Sequence, residues 1–313
     1  MLETFLAALG VVFTMLIYAV PGFVLVKTKI VKDINISAFA KLLMYVSSPC
    51  LVFNSITKNS ASGKLLIQML ITFGFALLIF LLGLLVFFLA FKEKSHEIVR
   101  YRIYNLATTL GNCAFMGVPV LEALLPDYPQ AVAFSAMFSL AMNIIAWSVG
   151  SYIISRDKKY ISIKKILLNP AMIALFVAIP FFAFNIQLPT VINAPIELLA
   201  KMSAPLCMLI MGMRLACASF KDVFLNPVQY LIVAIKQLAF PSVVFLILLL
   251  LPLDPDMKSS IYIITACPVA SVILSFSEMI GKGQKSAANL VLLGTSLSAI
   301  TIPVMSLMLI AFY

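Results

Sequence analysis

Ten apolar stretches, each long enough to cross a lipid bilayer, dominate this chain of 313 residues. A transmembrane α-helix needs about 20 apolar residues, because the hydrocarbon core of a bilayer is about 30 Å thick. The pattern therefore predicts an all-α polytopic membrane protein with ten transmembrane helices. The expected spans are residues 4–26, 36–56, 65–91, 98–126, 129–154, 168–186, 190–214, 227–251, 258–281 and 286–312.

The composition agrees with a membrane protein and excludes a water-soluble one. Hydrophobic residues make up 63% of the chain and charged residues 11%, whereas a soluble domain has about 25% charged residues. The first span is too long for the core of a signal peptide and has no basic residue before it. We therefore expect it to remain as a helix in the lipid bilayer.

The net charge of +10 does not indicate nucleic-acid binding, because the basic residues lie in short joints between spans. The first, third, fifth, seventh and ninth joints carry 15 Lys and Arg residues, and the other four joints carry three. Cytoplasmic loops of membrane proteins are enriched in Lys and Arg. We therefore expect the odd-numbered joints in the cytoplasm and both termini outside it.

The two halves of the chain share a motif. The segment AFAKLLMYVSSP (38–49) has its Ala, Leu-Leu, Ser and Pro at the same positions as APIELLAKMSAP (194–205), which lies 156 positions later. This spacing divides the chain into repeats at 1–156 and 157–313. Because each repeat holds five spans, an odd number, the two must be inverted relative to one another. Inverted repeats with broken helices near the midplane are typical of secondary transporters.

The fourth span has the residues of a broken helix. Gly111, Gly117 and Pro119 interrupt it within nine residues, and both residue types weaken a helix interior. Open backbone at membrane depth is tolerated where it is buried in protein or lines a wet cavity. Asn112 stands at the start of this stretch and offers both donors and acceptors to a polar ligand.

The ninth span is interrupted at the corresponding place. Pro268 lies near its middle, after Cys267, and Ser271 follows. A single proline is equally consistent with a simple kink. Two interruptions at matching positions in the two halves instead indicate a binding site, because crossed half-helix ends expose backbone amides and carbonyls to a ligand.

Ionisable groups inside a membrane are costly and are therefore functional candidates. Lys236 lies deep in the eighth span, where it either attracts an anionic substrate or bonds the carbonyls of a neighbouring helix. Glu122 and Glu278 are 156 positions apart and each follows a broken segment. They are candidates for binding a coupling cation, or else solvated residues at span ends. Asn143 either faces the broken fourth span or bridges helices.

Three further charged residues have simpler interpretations. Glu197 and Lys201 are spaced to form an i, i+4 ion pair on one helix. Arg214 is expected to anchor its span at the cytoplasmic face.

The sequence gives no indication of an enzyme or a metal site. The five cysteines show no paired spacing, so neither zinc nor a disulfide framework is expected, and His96 is the only histidine. A phosphate-binding GxxxxGK[ST] motif is absent, which excludes ATP hydrolysis by this chain. No cofactor is expected, and coupling to Na⁺ or H⁺ is left open.

Several motifs together resemble the auxin efflux carrier family, which includes plant auxin exporters and bacterial permeases for small dicarboxylates. They are NCAFMGVP (112–119), Asn169-Pro170, Lys236 with Pro241, ACP (266–268) and GTSLSAITIP (294–303). Each motif is short, but their order and spacing cover the whole chain. This chain lacks the long cytoplasmic loop of many plant members and is closer to a bacterial permease of the inner membrane.

The resemblance implies a fold related to the bile-acid sodium symporters. Spans 1, 2, 6 and 7 would form a scaffold, and spans 3–5 and 8–10 a transport unit that moves against it. By the same likeness, Asn112, Pro119 and Pro268 belong to the crossover where substrate binds. The sodium-binding pattern of the bile-acid relatives is not clearly matched.

We therefore expect a secondary active or facilitative transporter of small organic anions, such as malate-like or auxin-like acids, that works by alternating access. The alternative is a non-transporting receptor built on a transporter fold. A homodimer is left open. The expected substrate-binding residues are Asn112, Gly117, Pro119, Asn143, Lys236, Cys267, Pro268 and Ser271, and the ion-coupling candidates are Glu122 and Glu278.

Overall fold

The computed structural model describes residues 2–91, 98–157, 159 and 167–313, and every regular element in these ranges is a helix. His96 lies outside the described residues. In chain order the main helices are α1 (Leu2–Lys27), α2 (Asp33–Thr57), α3 (Gly63–Ala90), α4 (Val99–Thr109), α5 (Gly117–Leu124), α6 (Ala131–Ser155), α7 (Pro170–Ala183), α8 (Thr190–Cys217), α9 (Phe220–Phe224), α10 (Pro227–Leu250), α11 (Pro255–Ala266), α12 (Val272–Ile280) and α13 (Gln284–Phe312).

Seven helices in the described residues are long and apolar enough to cross a membrane: α1, α2, α3, α6, α8, α10 and α13. The sixth predicted span is realised as α7, an apolar helix of 14 residues. The fourth and ninth predicted spans are each divided into two shorter helices, α4 with α5 and α11 with α12. The protein is therefore a polytopic helical membrane protein with two interrupted segments.

Local sequence signals explain where several helices begin. Asn169, Asn226 and Asp254 precede a proline, and each accepts a hydrogen bond from the backbone N–H two residues later. Such residues satisfy amides that the first turn leaves unpaired, and a proline at the next position has no N–H to lose. These caps fix the starts of α7, α10 and α11.

Glycines bring α1 and α8 into backbone contact. A Cβ atom on Gly212 would overlap the carbonyl oxygen of Ala19, and one on Gly22 would overlap the carbonyl of Leu209. Small residues at a helix interface allow this approach in membranes, where dispersion and close packing replace the hydrophobic effect. The helix α7 packs on the second half of α2, residues Ser48–Thr57.

Three long helices contain a single π-helical turn. In α2 and α10 this turn covers Leu43–Ser47 and Ile235–Ala239, and a proline follows two residues later, at Pro49 and Pro241. The proline lacks the N–H for an i→i−4 bond, and the wider turn accommodates the loss. The turn in α10 places Lys236 and Gln237 in the protein interior, where both are buried.

Candidate functional site

The two interrupted segments cross and bond to one another through their open backbone. Gly111 and Val269 form an isolated antiparallel bridge. On one side of it, the N–H of Asn112 donates to the carbonyl of Pro268 at 2.7 Å, and on the other the N–H of Ala270 donates to the carbonyl of Leu110 at 3.0 Å. These bonds satisfy polar groups that the helix breaks expose, as a low-dielectric surrounding requires.

Lys236 lies directly behind this crossover. Its side chain is 1% exposed, and its Nζ donates to the carbonyl of Thr265 at 2.7 Å, in the last turn of α11. A Cβ atom on Gly111 would lie 3.1 Å from that ammonium. The position favours a cation, because the C-terminal end of a helix carries partial negative charge. The second of the two sequence interpretations, bonding to carbonyls of a neighbouring helix, is the contact observed.

A second buried polar side chain extends this layer. The Gln237 amide nitrogen donates to the carbonyl of Gly294 at 2.7 Å, and its amide oxygen accepts from the hydroxyl of Thr301 at 2.8 Å. Both partners belong to the GTSLSAITIP segment of α13. Together with the Lys236 contact, these hydrogen bonds form a connected polar layer beside the crossover. They fix α10 and α13 relative to the half-helices.

A large cavity of about 1060 Å³ reaches the other side of the crossover. The described residues that line its deep part include Asn112, Cys113, Ser139, Asn143, Cys207 and Ser271. The start of α12 also faces it, through Ala270 and Val272. A helix N-terminus beside amide and hydroxyl groups is suited to a polar or anionic ligand.

A smaller cavity of about 300 Å³ lies beside the C-terminal end of α2 and the middle of α8. It is lined by residues that include Asn54, Lys58, Glu122, Tyr128, Lys201 and Ser203. Leu51, Val118 and Ala200 form a small apolar cluster that packs against Ala114 and Phe115. Ala114 lines both cavities, so the two cavities approach one another beside this apolar cluster.

The predicted site residues fall into three groups. Asn112, Asn143 and Ser271 line the large cavity, and Pro119 lines the small one. Gly117, Cys267, Pro268 and Lys236 belong to the crossover or lie behind it, and in the described structure they are not among the residues lining either cavity. Asn143 donates to the carbonyl of Ser139 one turn earlier, which orients its amide within the cavity wall.

The two ion-coupling candidates lie at different cavities. Glu278 lines the large cavity and pairs with Arg214, whose Nη1 is 3.0 Å from the Glu278 Oε1. Arg214, in the last turn of α8, therefore also contacts α12. Glu122 lines the small cavity. The predicted pair of Glu197 with Lys201 is confirmed, at 2.8 Å.

The mouth of the large cavity carries a second ion pair. The Lys285 Nζ lies 2.7 Å from the Asp222 Oδ2, and this hydrogen bond lowers the pKa of the Asp222 carboxyl from its usual value. Asn289 donates to the Asp222 backbone carbonyl at 3.0 Å. The contacts attach α9 to α13, so the short joint helix is held at the cavity edge.

Sequence reasoning missed Cys207, Ser139 and Arg214 as cavity residues. Cys207 lies on α8 beside the Asn112 side chain, and Ser139 lies one turn before Asn143. A cysteine or serine in an apolar span gives no signal of its direction. The i, i+4 spacing of Ser139 and Asn143 was the one available clue, since it places both on one helix face.

The known sequences that this chain resembles are described as those of membrane transport proteins. A family model described as "Membrane transport protein" matches residues 7–306. An uncharacterized transporter of Methanocaldococcus jannaschii is 22% identical over 306 residues, which cover 94% of this chain and 96% of the relative. The match spans both interrupted segments and both cavities. The chain therefore belongs to the membrane transport protein family, the family of the auxin efflux carriers.

Proposed function

We propose that this protein is a secondary active or facilitative transporter that moves small organic anions by alternating access. The observation that carries the proposal is the large cavity, which ends at the crossed half-helices beside Asn112 and the start of α12. Carboxylates are stabilised by amide donors and by the positive end of a helix. Lys236 adds positive charge behind the same backbone.

The two cavities support alternating access. The small cavity borders the C-terminal end of α2, the large one borders the first part of α2 and the C-terminal end of α8, and the apolar cluster of Leu51, Val118 and Ala200 lines the small cavity where the two approach. A modest movement of the crossover against α2 and α8 would close one route and open the other. By the likeness to the bile-acid sodium symporters, we assign spans 1, 2, 6 and 7 to a scaffold, and spans 3–5 and 8–10 to a transport unit.

We further propose ten crossings arranged as inverted repeats at 1–156 and 157–313. The seven long helices, α7 and the two interrupted pairs supply ten crossings. In this arrangement the joints rich in Lys and Arg face the cytoplasm, so the large cavity opens inward. Both termini lie outside the cytoplasm, and a bacterial inner membrane is the proposed location.

The orientation is tested with cysteines placed beside Met1 and after Tyr313. Both are expected to react with a membrane-impermeant maleimide added to intact cells. A cysteine at Lys221, in a joint assigned to the cytoplasm, is the matched control and should react after the membrane is opened. Labelling of both termini only after opening would overturn the orientation, and labelling of the two termini from opposite sides would overturn the inverted repeat.

The transport proposal is tested in proteoliposomes. A thermal-shift screen against mono- and dicarboxylates and aromatic acids, with and without sodium, first identifies a ligand, because a ligand of the folded state raises its apparent stability. Saturable uptake of that acid is the expected result. Imposed sodium and proton gradients then decide which ion, if any, is coupled. Binding without flux would instead favour a receptor on a transporter fold.

A further inference from the structure

Two pairs of oppositely charged residues occupy equivalent positions in the repeats. Lys58 and Arg214 are separated by 156 positions, and so are Glu122 and Glu278. The basic member of each pair lies at the end of a long helix, α2 or α8, and the acidic member lies in a half-helix, α5 or α12. The repeat shift therefore maps one complete pair onto the other.

The two pairs differ in the structure. Arg214 and Glu278 line the large cavity and form an ion pair at 3.0 Å, which joins α8 to α12. Lys58 and Glu122 both line the small cavity, but no ion pair joins them in the described part of the chain. The Arg214–Glu278 contact is therefore formed, whereas Lys58 and Glu122 line the same small cavity without an ion pair between them in the described structure.

We propose that these two ion pairs alternate during transport. In the structure Arg214 holds Glu278, and the proposed orientation makes this the inward-facing arrangement. When the transport unit moves outward, this pair separates and Lys58 engages Glu122. Inverted repeats permit such an exchange, because the two halves can swap conformations between the two end states of the transporter. The inference rests on the proposed alternating-access function and specifies how its two end states are held.

The location of the charges sets the size of the effect. The Arg214 side chain is 25% exposed and that of Glu278 is 49% exposed. Solvent-exposed ion pairs contribute little stability, so each pair biases the equilibrium without locking it. A weak and nearly symmetric bias suits a transporter, since strong stabilisation of either end state would slow the return step.

Lys201 is the competing cation at the small cavity. It lines that cavity and pairs with Glu197 on its own helix at 2.8 Å. That pair does not connect two helices, so the exchange leaves it intact. Lys201→Gln is therefore a matched control that removes a positive charge beside Glu122 without removing an equivalent contact.

The test measures which cavity is open in single-charge variants. Asn54→Cys reports on the small cavity and Ser275→Cys on the large one, in a background where Cys50, Cys113, Cys207 and Cys217 are replaced by serine. An impermeant maleimide is applied to cells for the first reporter and to inside-out vesicles for the second. Glu278→Gln should speed labelling of the small cavity and slow that of the large one, by about two- to fivefold.

Glu122→Gln and Lys58→Gln should produce the reverse shifts, and Lys201→Gln, which lies only at the small cavity, should leave the labelling rate of the large cavity unchanged. The double variant Arg214→Glu with Glu278→Arg should restore the parent rates. Shifts in the same direction for Glu122→Gln and Glu278→Gln, or no shift in either, would overturn the exchange. If the exchange is overturned but the parent protein still takes up substrate in proteoliposomes, the proposed transport function stands. If the parent protein shows no uptake, the transport function is rejected.

Discussion

Lys236→Gln is expected to reduce transport about a hundredfold, the largest effect of any single charge removal in this chain. The Lys236 ammonium is almost fully buried and donates to the Thr265 carbonyl at 2.7 Å. Glutamine retains a donor but removes the positive charge that faces the end of α11 and the crossover. Electrostatic interactions are strong in a low-dielectric interior, and loss of a charged hydrogen bond there costs about 3 kcal/mol. The initial rate of substrate uptake measures the loss.

Two other substitutions separate charge from structure. Lys236→Arg keeps the charge with a different shape and should retain part of the activity. Lys64→Gln removes an exposed charge, at 76% side-chain exposure, and should leave uptake near the parent value. If the Lys236→Gln variant transports substrate as well as the parent protein, Lys236 only packs its helix and its charge does not act on the substrate.

The helix breaks could be predicted because glycine and proline act locally. Gly111 and Pro268 interrupt a helix through their own backbone properties, whatever surrounds them. The structure adds where Pro119 lies relative to the break. It occupies the first turn of α5, where proline is tolerated, and it lines the small cavity. The open stretch lies before it, between Thr109 and Gly117.

The partners of buried charges could not be predicted from the sequence. Lys236 and Thr265 are 29 positions apart, and Arg214 and Glu278 are 64 apart. Contacts at such separations depend on how helices pack, and hydrophobic periodicity carries no information on that packing. The 156-residue repeat nevertheless indicated which charges are equivalent. It identified Glu122 and Glu278 as a pair before the structure placed them at opposite cavities.

The crossover shows how local signals and packing combine. Proline and glycine remove helical bonds, and the freed groups of Asn112 and Ala270 bond across the break to Pro268 and Leu110. The sequence predicts that the two helices are interrupted. Which backbone groups then bond to one another depends on how the two interrupted segments cross. Because the backbone is satisfied by the crossing itself, the Asn112 side chain remains available to the large cavity.

Asn112→Ala is accordingly expected to weaken substrate binding by about 1–3 kcal/mol, which corresponds to a Kd about 5-fold to 150-fold higher. The Asn112 N–H bond to the Pro268 carbonyl is made by the backbone and survives the substitution. The loss is confined to an amide side chain that is 7% exposed and lines the large cavity beside Cys207. Titration calorimetry with the acid identified by thermal shift gives the change in Kd.

The control for this variant is Asn193→Ala, which removes an amide from a residue that lines neither cavity in the described structure. It should bind substrate with the parent Kd, and both variants should unfold within a few degrees of the parent, since neither substitution breaks the backbone crossing. An unchanged Kd in Asn112→Ala would show that the amide is structural and that substrate binds elsewhere in the large cavity. A large loss of thermal stability with an unchanged Kd would lead to the same conclusion. Only weaker binding in a protein that remains folded assigns the Asn112 side chain to the substrate.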